Sequence, residues 1–223
     1  MEKALLQKEW IKTRRVFCAS LVLALALALY AVLMMNRLIE LKGGDNLWLI
    51  MLLKDNTFID IIKYSPAAIG IAVGAAQMIP EMTQKRLKLT LHLPYPQRRL
   101  ITLMLGAGLG GILLIFLIQL GIIVAYDLTI LPHELVWRVA LTALPWYFAG
   151  CMAYLFTASI CLEGTWRRRI VLALLGIAAL MVMFLQPAPE AYNGMLPMLL
   201  CFTILLTILS FGSVIRFKEG RQD

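Results

Sequence analysis

Six long apolar stretches, separated by polar connections, follow one another along the chain. A hydrocarbon core about 30 Å thick is crossed by about 20 apolar residues in a helix, and each stretch comes close to that length. The predicted spans are Val16–Met35, Tyr64–Pro80, Leu100–Tyr126, Val136–Leu162, Ile170–Gln186 and Met195–Phe217. We therefore predict an all-α integral membrane protein with six transmembrane helices.

The positive charges lie on alternate sides of these spans. Of the 21 Lys and Arg residues, 16 lie in the N-terminal segment, in the connections 81–99 and 163–169, and around the C-terminus. These four segments share one side of a six-span arrangement, and cytoplasmic connections carry an excess of Lys and Arg. The charge pattern therefore predicts that the N-terminus and the C-terminus are both cytoplasmic.

Composition agrees with a membrane protein, since 61% of the residues are hydrophobic, 15% are charged and the mean hydropathy is +0.82. The net charge of +8 would by itself be compatible with nucleic-acid binding. The basic residues cluster beside the spans, however, where they set topology and contact anionic lipid. We predict the lipid bilayer as a partner and no nucleic acid.

The middle of five spans has no Asp, Glu, Lys or Arg, and Arg138 lies near the outer end of the fourth. Carriers coupled to protons or sodium usually hold ionisable groups at depth, so an ion-coupled mechanism is disfavoured. No phosphate-binding GxxxxGK[ST] loop, catalytic motif or metal-ligand spacing occurs, and we assign no catalytic residue and no metal site. ATP-driven transport by this chain would need another chain for hydrolysis.

Polar and small residues inside the spans are predicted to pack helices together. Gln77, Thr102, Gln119, Thr157 and Ser159 are expected to hydrogen-bond between helices rather than to form a relay. Two glycine pairs with small-xxx-small spacing, within one subunit or between two, are Gly70 with Gly74 and Gly106 with Gly110.

The first 15 residues form a separate unit in this interpretation, with 16–223 as the transmembrane domain. An apolar stripe recurs at helical spacing between basic residues, and its members are Leu6, Trp10, Thr13 and Phe17 among Lys3, Lys8, Lys12, Arg14 and Arg15. Such a helix suits the membrane interface, with Trp10 at headgroup depth and the basic side chains toward anionic lipid. A basic tail that only sets topology is the open alternative.

The connection 81–99 has an ambiguous pattern. Four leucines alternate with polar residues, which is the periodicity of a strand, but a lone strand in a loop has no partner for its backbone. A short helix would bring Leu87 and Leu91 to one face and end at Pro94. We favour the helix.

Both segments resemble the permease subunits of type-2, exporter-type ABC transporters. The resemblance rests on Glu81, the leucine-rich stretch 87–93, Pro94, Pro96 and the pair Arg98 and Arg99, together with Lys8–Trp10 followed by Lys12, Arg14 and Arg15. It implies that 81–99 is a coupling helix that docks on a separate ABC ATPase, through Glu81, Lys85, Arg86, Leu87, Lys88, Leu89, Leu91, Leu93 and Pro94. The N-terminal helix would be the family's elbow helix, with Leu6, Trp10, Lys12, Arg14 and Arg15 at the interface.

The resemblance further implies two copies of the ATPase, which would bind ATP and Mg²⁺, and a second permease subunit, identical or similar. The chain itself would hold no cofactor and would not be an enzyme. Its place would be the cytoplasmic membrane of a prokaryote, as a multi-pass protein moving an unidentified substrate by alternating access. The uncharged spans favour an apolar or amphipathic substrate.

Two features leave alternatives open. Family members that export polysaccharides or lipids often have re-entrant helices before the last span, whereas 186–194 is a short turn here. The outer connection 36–63 holds an apolar stretch, 47–53, which is either an interfacial helix or a packed loop. The alternative function is a non-transport membrane scaffold or assembly factor.

Overall fold

A computed structural model describes residues 2–42, 51, 57–83, 96–186 and 188–218. These residues form six long helices, and no strand occurs among them. The helices are α1 (Glu2–Lys42), α2 (Ser65–Thr83), α3 (Gln97–Asp127), α4 (His133–Leu162), α5 (Trp166–Phe184) and α6 (Leu196–Lys218), with short 3₁₀ turns at Asp60–Ile62 and Asn193–Met195. The all-α prediction is confirmed.

Three helices in the described ranges, α1, α3 and α4, are long and apolar enough to cross a membrane. Helices satisfy their own backbone hydrogen bonds, which is why apolar stretches of this length fold as helices in lipid. The chain therefore has the architecture of a helical membrane protein.

The first helix does not divide where the sequence suggested a boundary. Residues 2–15 continue into the predicted first span as one helix of 41 residues, about 60 Å long. Its buried face recurs every three or four residues, through Glu9, Thr13, Phe17, Ser20, Ala24, Ala28, Ala31 and Met35. One continuous face of α1 thus packs on the rest of the protein, from its polar beginning to its apolar end.

Helix α4 is the centre of the bundle and packs against α2, α3, α5 and α6. In its most apolar window 83% of the residues are buried, compared with 28% for α1 and 33% for α3. Helix α1 contacts mainly α3 and α2. Exposed large apolar side chains lie along the outer helices α1, α3, α5 and α6.

The two glycine pairs differ in their surroundings. A Cβ atom at Gly70 would collide with the carbonyl oxygen of Gly150, and one at Gly74 would press on Tyr154 and Thr157, so this pair lies at the closest approach of α2 to α4. Gly106 and Gly110 are exposed, and an added Cβ would meet no described atom within 4 Å at either position. The structure therefore gives the second pair no packing role within the described part of the chain.

Helices α1 and α3 run in the same direction. The ring of Phe17 lies against Gly111 in the middle of α3, and further along both helices Gln119 Nε2 donates to the carbonyl oxygen of Ala24 at 3.1 Å. These two contacts occur in the same order on both helices, so the helices are parallel. Gln119 thus joins two helices, as predicted for the polar residues inside the spans.

Candidate functional site

The predicted docking segment begins inside the described structure. Glu81 lies in the last turn of α2, just beyond the predicted span, and Arg99 lies in the first turn of α3. The other predicted docking residues lie outside the described residues: Lys85, Arg86, Leu87, Lys88, Leu89, Leu91, Leu93 and Pro94. The candidate site is therefore built from Glu81 and the side chains around it.

Glu81 is fully buried and is bound by two lysines of α1. Its Oε1 atom lies 2.9 Å from Lys12 Nζ and 3.0 Å from Lys8 Nζ. Lys12 Nζ also lies 2.8 Å from Glu9 Oε2, and the Lys12 side chain is only 8% exposed. Two ammonium groups thus balance two carboxylates at one point of contact between α1 and α2.

Hydrogen bonds extend this charge group to α3 and α4. Gln77 Nε2 donates to Glu9 Oε2 at 2.8 Å and to the carbonyl oxygen of Met104 at 2.7 Å. The hydroxyl of Tyr154, which is completely buried, donates to Gln77 Oε1 at 2.7 Å. We call Lys8, Glu9, Lys12, Gln77, Glu81 and Tyr154 the inner polar cluster; with the Met104 carbonyl it joins four helices.

Helical spacing explains how the cluster forms. Glu9 and Lys12 are three residues apart on α1, and Gln77 and Glu81 are four apart on α2, so each pair shares a helix face. A buried charge is costly unless it is paired and hydrogen-bonded. Lys12 of α1 pairs with Glu81 of α2, and Gln77 of α2 donates a hydrogen bond to Glu9 of α1. The absence of a side chain at Gly108 leaves room for the hydrogen bond from Tyr154 to Gln77, because a Cβ there would collide with both the Tyr154 hydroxyl and Gln77 Oε1.

Electrostatics keep Glu81 charged. Burial alone would raise the pKa of the Glu81 carboxyl, but Lys12 and Lys8 outweigh it, so the pKa is lowered from its ordinary value. Its second oxygen, Oε2, is buried without a hydrogen-bond partner in the described structure. The same carboxylate lines a mostly apolar crevice of about 10 Å³, room for about one water, with Leu5, Leu6, Lys8, Glu9, Leu100, Leu103 and Met104.

The predicted interfacial stripe on α1 is divided between two environments. Leu6 and Trp10 are exposed, as a lipid-facing position requires, whereas Thr13 and Phe17 are buried in the bundle. Arg14 and Arg15 are exposed as well. The rings of Trp10 and Phe17 stack at 6.2 Å across the boundary between the two environments.

Lys12 requires a correction. The sequence placed it toward anionic lipid with the other basic residues, and this was wrong, because it points inward to Glu9 and Glu81. Two carboxylates within 3 Å replace the water that a lysine at the interface would keep.

A third buried glutamate, Glu163, holds the turn between α4 and α5. Glu163 accepts hydrogen bonds from Ser213 Oγ of α6 at 3.0 Å and from Thr165 Oγ1 at 3.1 Å. Its carbonyl oxygen accepts from Arg169 Nε at 2.7 Å. Glu81 and Glu163 each follow an apolar span on the side predicted to be cytoplasmic, and each ties its connection to a distant helix.

Glu81 was predicted from the sequence, but its contacts with deeper residues were not. Glu9 entered only as part of the motif Lys8–Trp10, Tyr154 was not selected, and Gln77 was expected only to bridge helices. The available signal was the spacing of Gln77 and Glu81, which aligns two polar groups at the end of an apolar helix. Nothing in the one-dimensional pattern indicates that Tyr154 of α4 meets that face.

Comparisons with protein-family models, with curated proteins and with solved structures give no match to this chain.

Proposed function

We propose that this chain is the permease subunit of an ABC transporter, with six spans and both termini in the cytoplasm. Two copies of a separate ATPase would bind ATP and Mg²⁺, and the permease would pair with a second copy or with a similar paralogue. The substrate, apolar or amphipathic, would cross a prokaryotic cytoplasmic membrane by alternating access. The observation that supports this proposal is the inner polar cluster at the start of the segment 81–99.

The cluster has the properties that a mechanical connection needs. Glu81 cannot move away from α1 without leaving a carboxylate or an ammonium buried and unpaired, which costs several kcal/mol. Gln77 lies one turn before Glu81 on α2 and is held by α1, α3 and α4 at once. A displacement imposed on the chain just after Glu81 would therefore move these helices together rather than bend one of them.

The segment after Glu81 supplies the contact surface in this proposal. Four leucines in a cytoplasmic connection are unfavourable in water, at about 25 cal/mol per Å² of apolar surface, so another surface has to cover them. The basic residues among them, Lys85, Arg86 and Lys88, favour an acidic groove on a partner.

Substitution in this segment tests the proposal. Leu89→Asp or Leu91→Asp should leave the permease inserted and folded while removing both the copurifying ATPase and transport, because a carboxylate would be buried in an apolar contact. The ATPase is identified by mass spectrometry through a GxxxxGK[ST] motif and by ATP hydrolysis in the purified complex. Thr90→Asp is the matched control, since it adds the same charge at a polar position and should retain the ATPase.

The same experiment distinguishes the permease from the alternative function, a membrane scaffold or assembly factor. An ATPase bound equally by wild type and both leucine variants would remove this segment from the coupling role. Absence of any ATP-hydrolysing partner from the wild-type complex would favour the scaffold or assembly factor.

Orientation is tested independently by cysteine labelling. In a background without the four native cysteines, Thr129→Cys in the α3–α4 turn should react with a membrane-impermeant reagent from outside. Lys88→Cys should react only after the membrane is permeabilised. Labelling of Lys88→Cys from outside would overturn the proposed function, because a coupling segment has to face the ATPase.

A further inference from the structure

The turn between α3 and α4 is fastened to one buried acid, Asp127, at the end of the bundle opposite the inner polar cluster. Asp127 is the last residue of α3 and has no exposed surface. Its carbonyl oxygen accepts hydrogen bonds from the N–H groups of Ile130 at 3.1 Å and Leu131 at 2.8 Å. Leu131 is buried as well, so the turn folds back over the end of α3.

The carboxyl group of Asp127 has no partner in the described structure. Its two side-chain oxygens, Oδ1 and Oδ2, are both buried without a hydrogen bond, and no described cation forms an ion pair with them. Glu81 at the other end of the bundle is equally buried, but its carboxylate lies 2.9 Å from the ammonium of Lys12 and 3.0 Å from that of Lys8. The two buried acids therefore differ in whether a negative charge is balanced.

Other titratable or charged side chains at this end belong to each element that packs around α3. They are Tyr126 of α3 itself, Tyr30, Arg37 and Glu40 of α1, Asp60, Lys63 and Tyr64 before α2, and His133, Glu134 and Arg138 of α4. None of them donates a hydrogen bond to Asp127 or forms an ion pair with it. Arg138 donates instead to the carbonyl oxygen of Met51 at 3.4 Å.

Burial without a partner determines the charge of Asp127. An ionised carboxylate in an apolar interior costs far more free energy than the neutral acid, so a group in this position keeps its proton. The C-terminal end of a helix carries a partial negative charge, which adds to the cost of a carboxylate at the last residue of α3. Asp127 is therefore neutral while it is buried, whereas an aspartate in contact with water is ionised at neutral pH.

We propose that Asp127 is a proton-binding site that controls the opening of the α3–α4 turn. With the proton bound, the neutral acid stays inside the bundle and the turn is closed. When the proton passes to water, the carboxylate has to reach solvent, so the last turn of α3 opens together with residues 128–131. The inference goes beyond the proposed transport function, and its test needs no ATPase, so the two proposals stand or fall separately.

Hydrogen exchange at the Ile130 and Leu131 N–H groups of the purified full-length protein tests the proposal. Their protection factors compare the observed rates with those of unprotected amides, which removes the direct effect of pH on exchange. Opening releases one proton from Asp127, so both protection factors should fall about tenfold from about pH 5 to about pH 6. Protection factors at these two amides that stay constant over this range would overturn the proposal.

A control amide lies in another turn at the same end of the bundle. The Met195 N–H donates to the carbonyl oxygen of Tyr192 at 2.9 Å, in a connection where the described residues include no buried acid. Its protection factor should not change over the same range. An equal fall at Met195 would assign the pH dependence to the whole protein rather than to the α3–α4 turn.

Substitutions identify the titrating group. Asp127→Asn keeps the shape and removes the acid, so the pH dependence at Ile130 and Leu131 should disappear; Asp127→Leu gives the same test if the asparagine variant does not fold. An imidazole changes charge in the same pH range, so His133→Gln and the removal of a neighbouring exposed carboxylate, Glu134→Gln, are the matched controls. Both controls should retain the tenfold fall. Its loss in either control, or its persistence in a folded Asp127 variant, would contradict the assignment.

Discussion

Charged side chains form ion pairs at one end of the bundle and remain unpaired, among the described residues, at the other. In the inner polar cluster, two lysines and two glutamates lie within 3.0 Å of their partners and are mostly buried. At the opposite end, Lys63 and Glu190 line one shallow crevice, and neither forms an ion pair with a described residue.

The difference indicates which end contributes more to the free energy of unfolding. Charges that balance one another inside a fold have no need of an outside partner, and removing one leaves the other uncompensated. Charges that are partly exposed and unpaired contribute little to folding. Substitutions at the two ends should therefore differ by several kcal/mol in their effect on the free energy of unfolding. The predictions below run from the largest expected effect to the smallest.

Lys12→Met should cause the largest loss. It leaves Glu9 and Glu81 buried without their shared cation, and removal of one member of a buried ion pair costs about 3–5 kcal/mol of unfolding free energy. Denaturant titration of the purified protein measures the change. Lys3→Met is the control, because Lys3 is exposed and should shift the unfolding free energy by no more than about 0.5 kcal/mol. Equal effects of the two variants would show that the inner polar cluster does not stabilise the fold.

Acid should weaken the same contacts. The pKa of Glu81 is lower in the folded protein than its ordinary value of 4.5, so the unfolded state takes up a proton first as the pH falls. The contribution of Glu81 is fully present above that ordinary value and is lost as the pH falls through the lower folded pKa. Unfolding titrations across this range should show the loss in wild type and a smaller one in Lys12→Met. A pH dependence that Lys12→Met leaves unchanged would assign the effect to other carboxylates.

The helices were predictable from sequence and the contacts of the inner polar cluster were not. Apolar stretches of membrane length have to become helices because lipid offers no partner for the backbone, so each predicted span lies almost entirely within one helix. The position of Lys12 along the chain, in contrast, gives no information on whether it faces lipid or Glu81. That choice depends on how α1 is rotated against α2, which is set by many contacts at once.

The two glycine pairs also show that the sequence does not predict which helix faces are in contact. Gly70 with Gly74 and Gly106 with Gly110 have identical spacing in the sequence. Only the first pair lies against a neighbouring helix, because α4 passes there, and the second faces open space in the described structure. Spacing identifies a surface that permits close approach, and the fold determines whether a partner is present.

Gly108→Ala should perturb the inner polar cluster from the α3 side. The added methyl group would collide with the Tyr154 hydroxyl and Gln77 Oε1, and overpacking of this kind costs about 1–3 kcal/mol. Gly110→Ala on the same helix is the control. It meets no described atom and should be neutral or stabilising by up to about 1 kcal/mol, through the higher helix propensity of alanine. Unfolding free energies of the two variants give the comparison, and a neutral Gly108→Ala would mean that α3 packs less tightly than described.

Two buried tyrosines of α4 allow a matched test of hydrogen bonding. Tyr154→Phe removes the 2.7 Å hydrogen bond to Gln77 Oε1 and should cost about 1–2 kcal/mol, because that oxygen loses its donor. Tyr147, whose ring stacks on Phe116 at 5.0 Å, has a buried hydroxyl without a partner in the described structure. Tyr147→Phe should therefore be neutral or slightly stabilising. Similar losses in both variants would indicate that the cost comes from packing rather than from the cluster.

Lys63→Gln and Glu190→Asn should have the smallest effects on stability. Neither side chain has an ion pair to lose in the described structure, and the contact of Lys63 with the Tyr64 ring at 5.6 Å is worth no more than about 1 kcal/mol at an exposed site. Asparagine also suits the positive φ of position 190, so that variant should change the unfolding free energy by less than about 0.5 kcal/mol. Denaturant titration of the two purified variants beside wild type measures the change. A large loss in either variant would place Lys63 and Glu190 among the structural contacts and remove the contrast with the inner polar cluster.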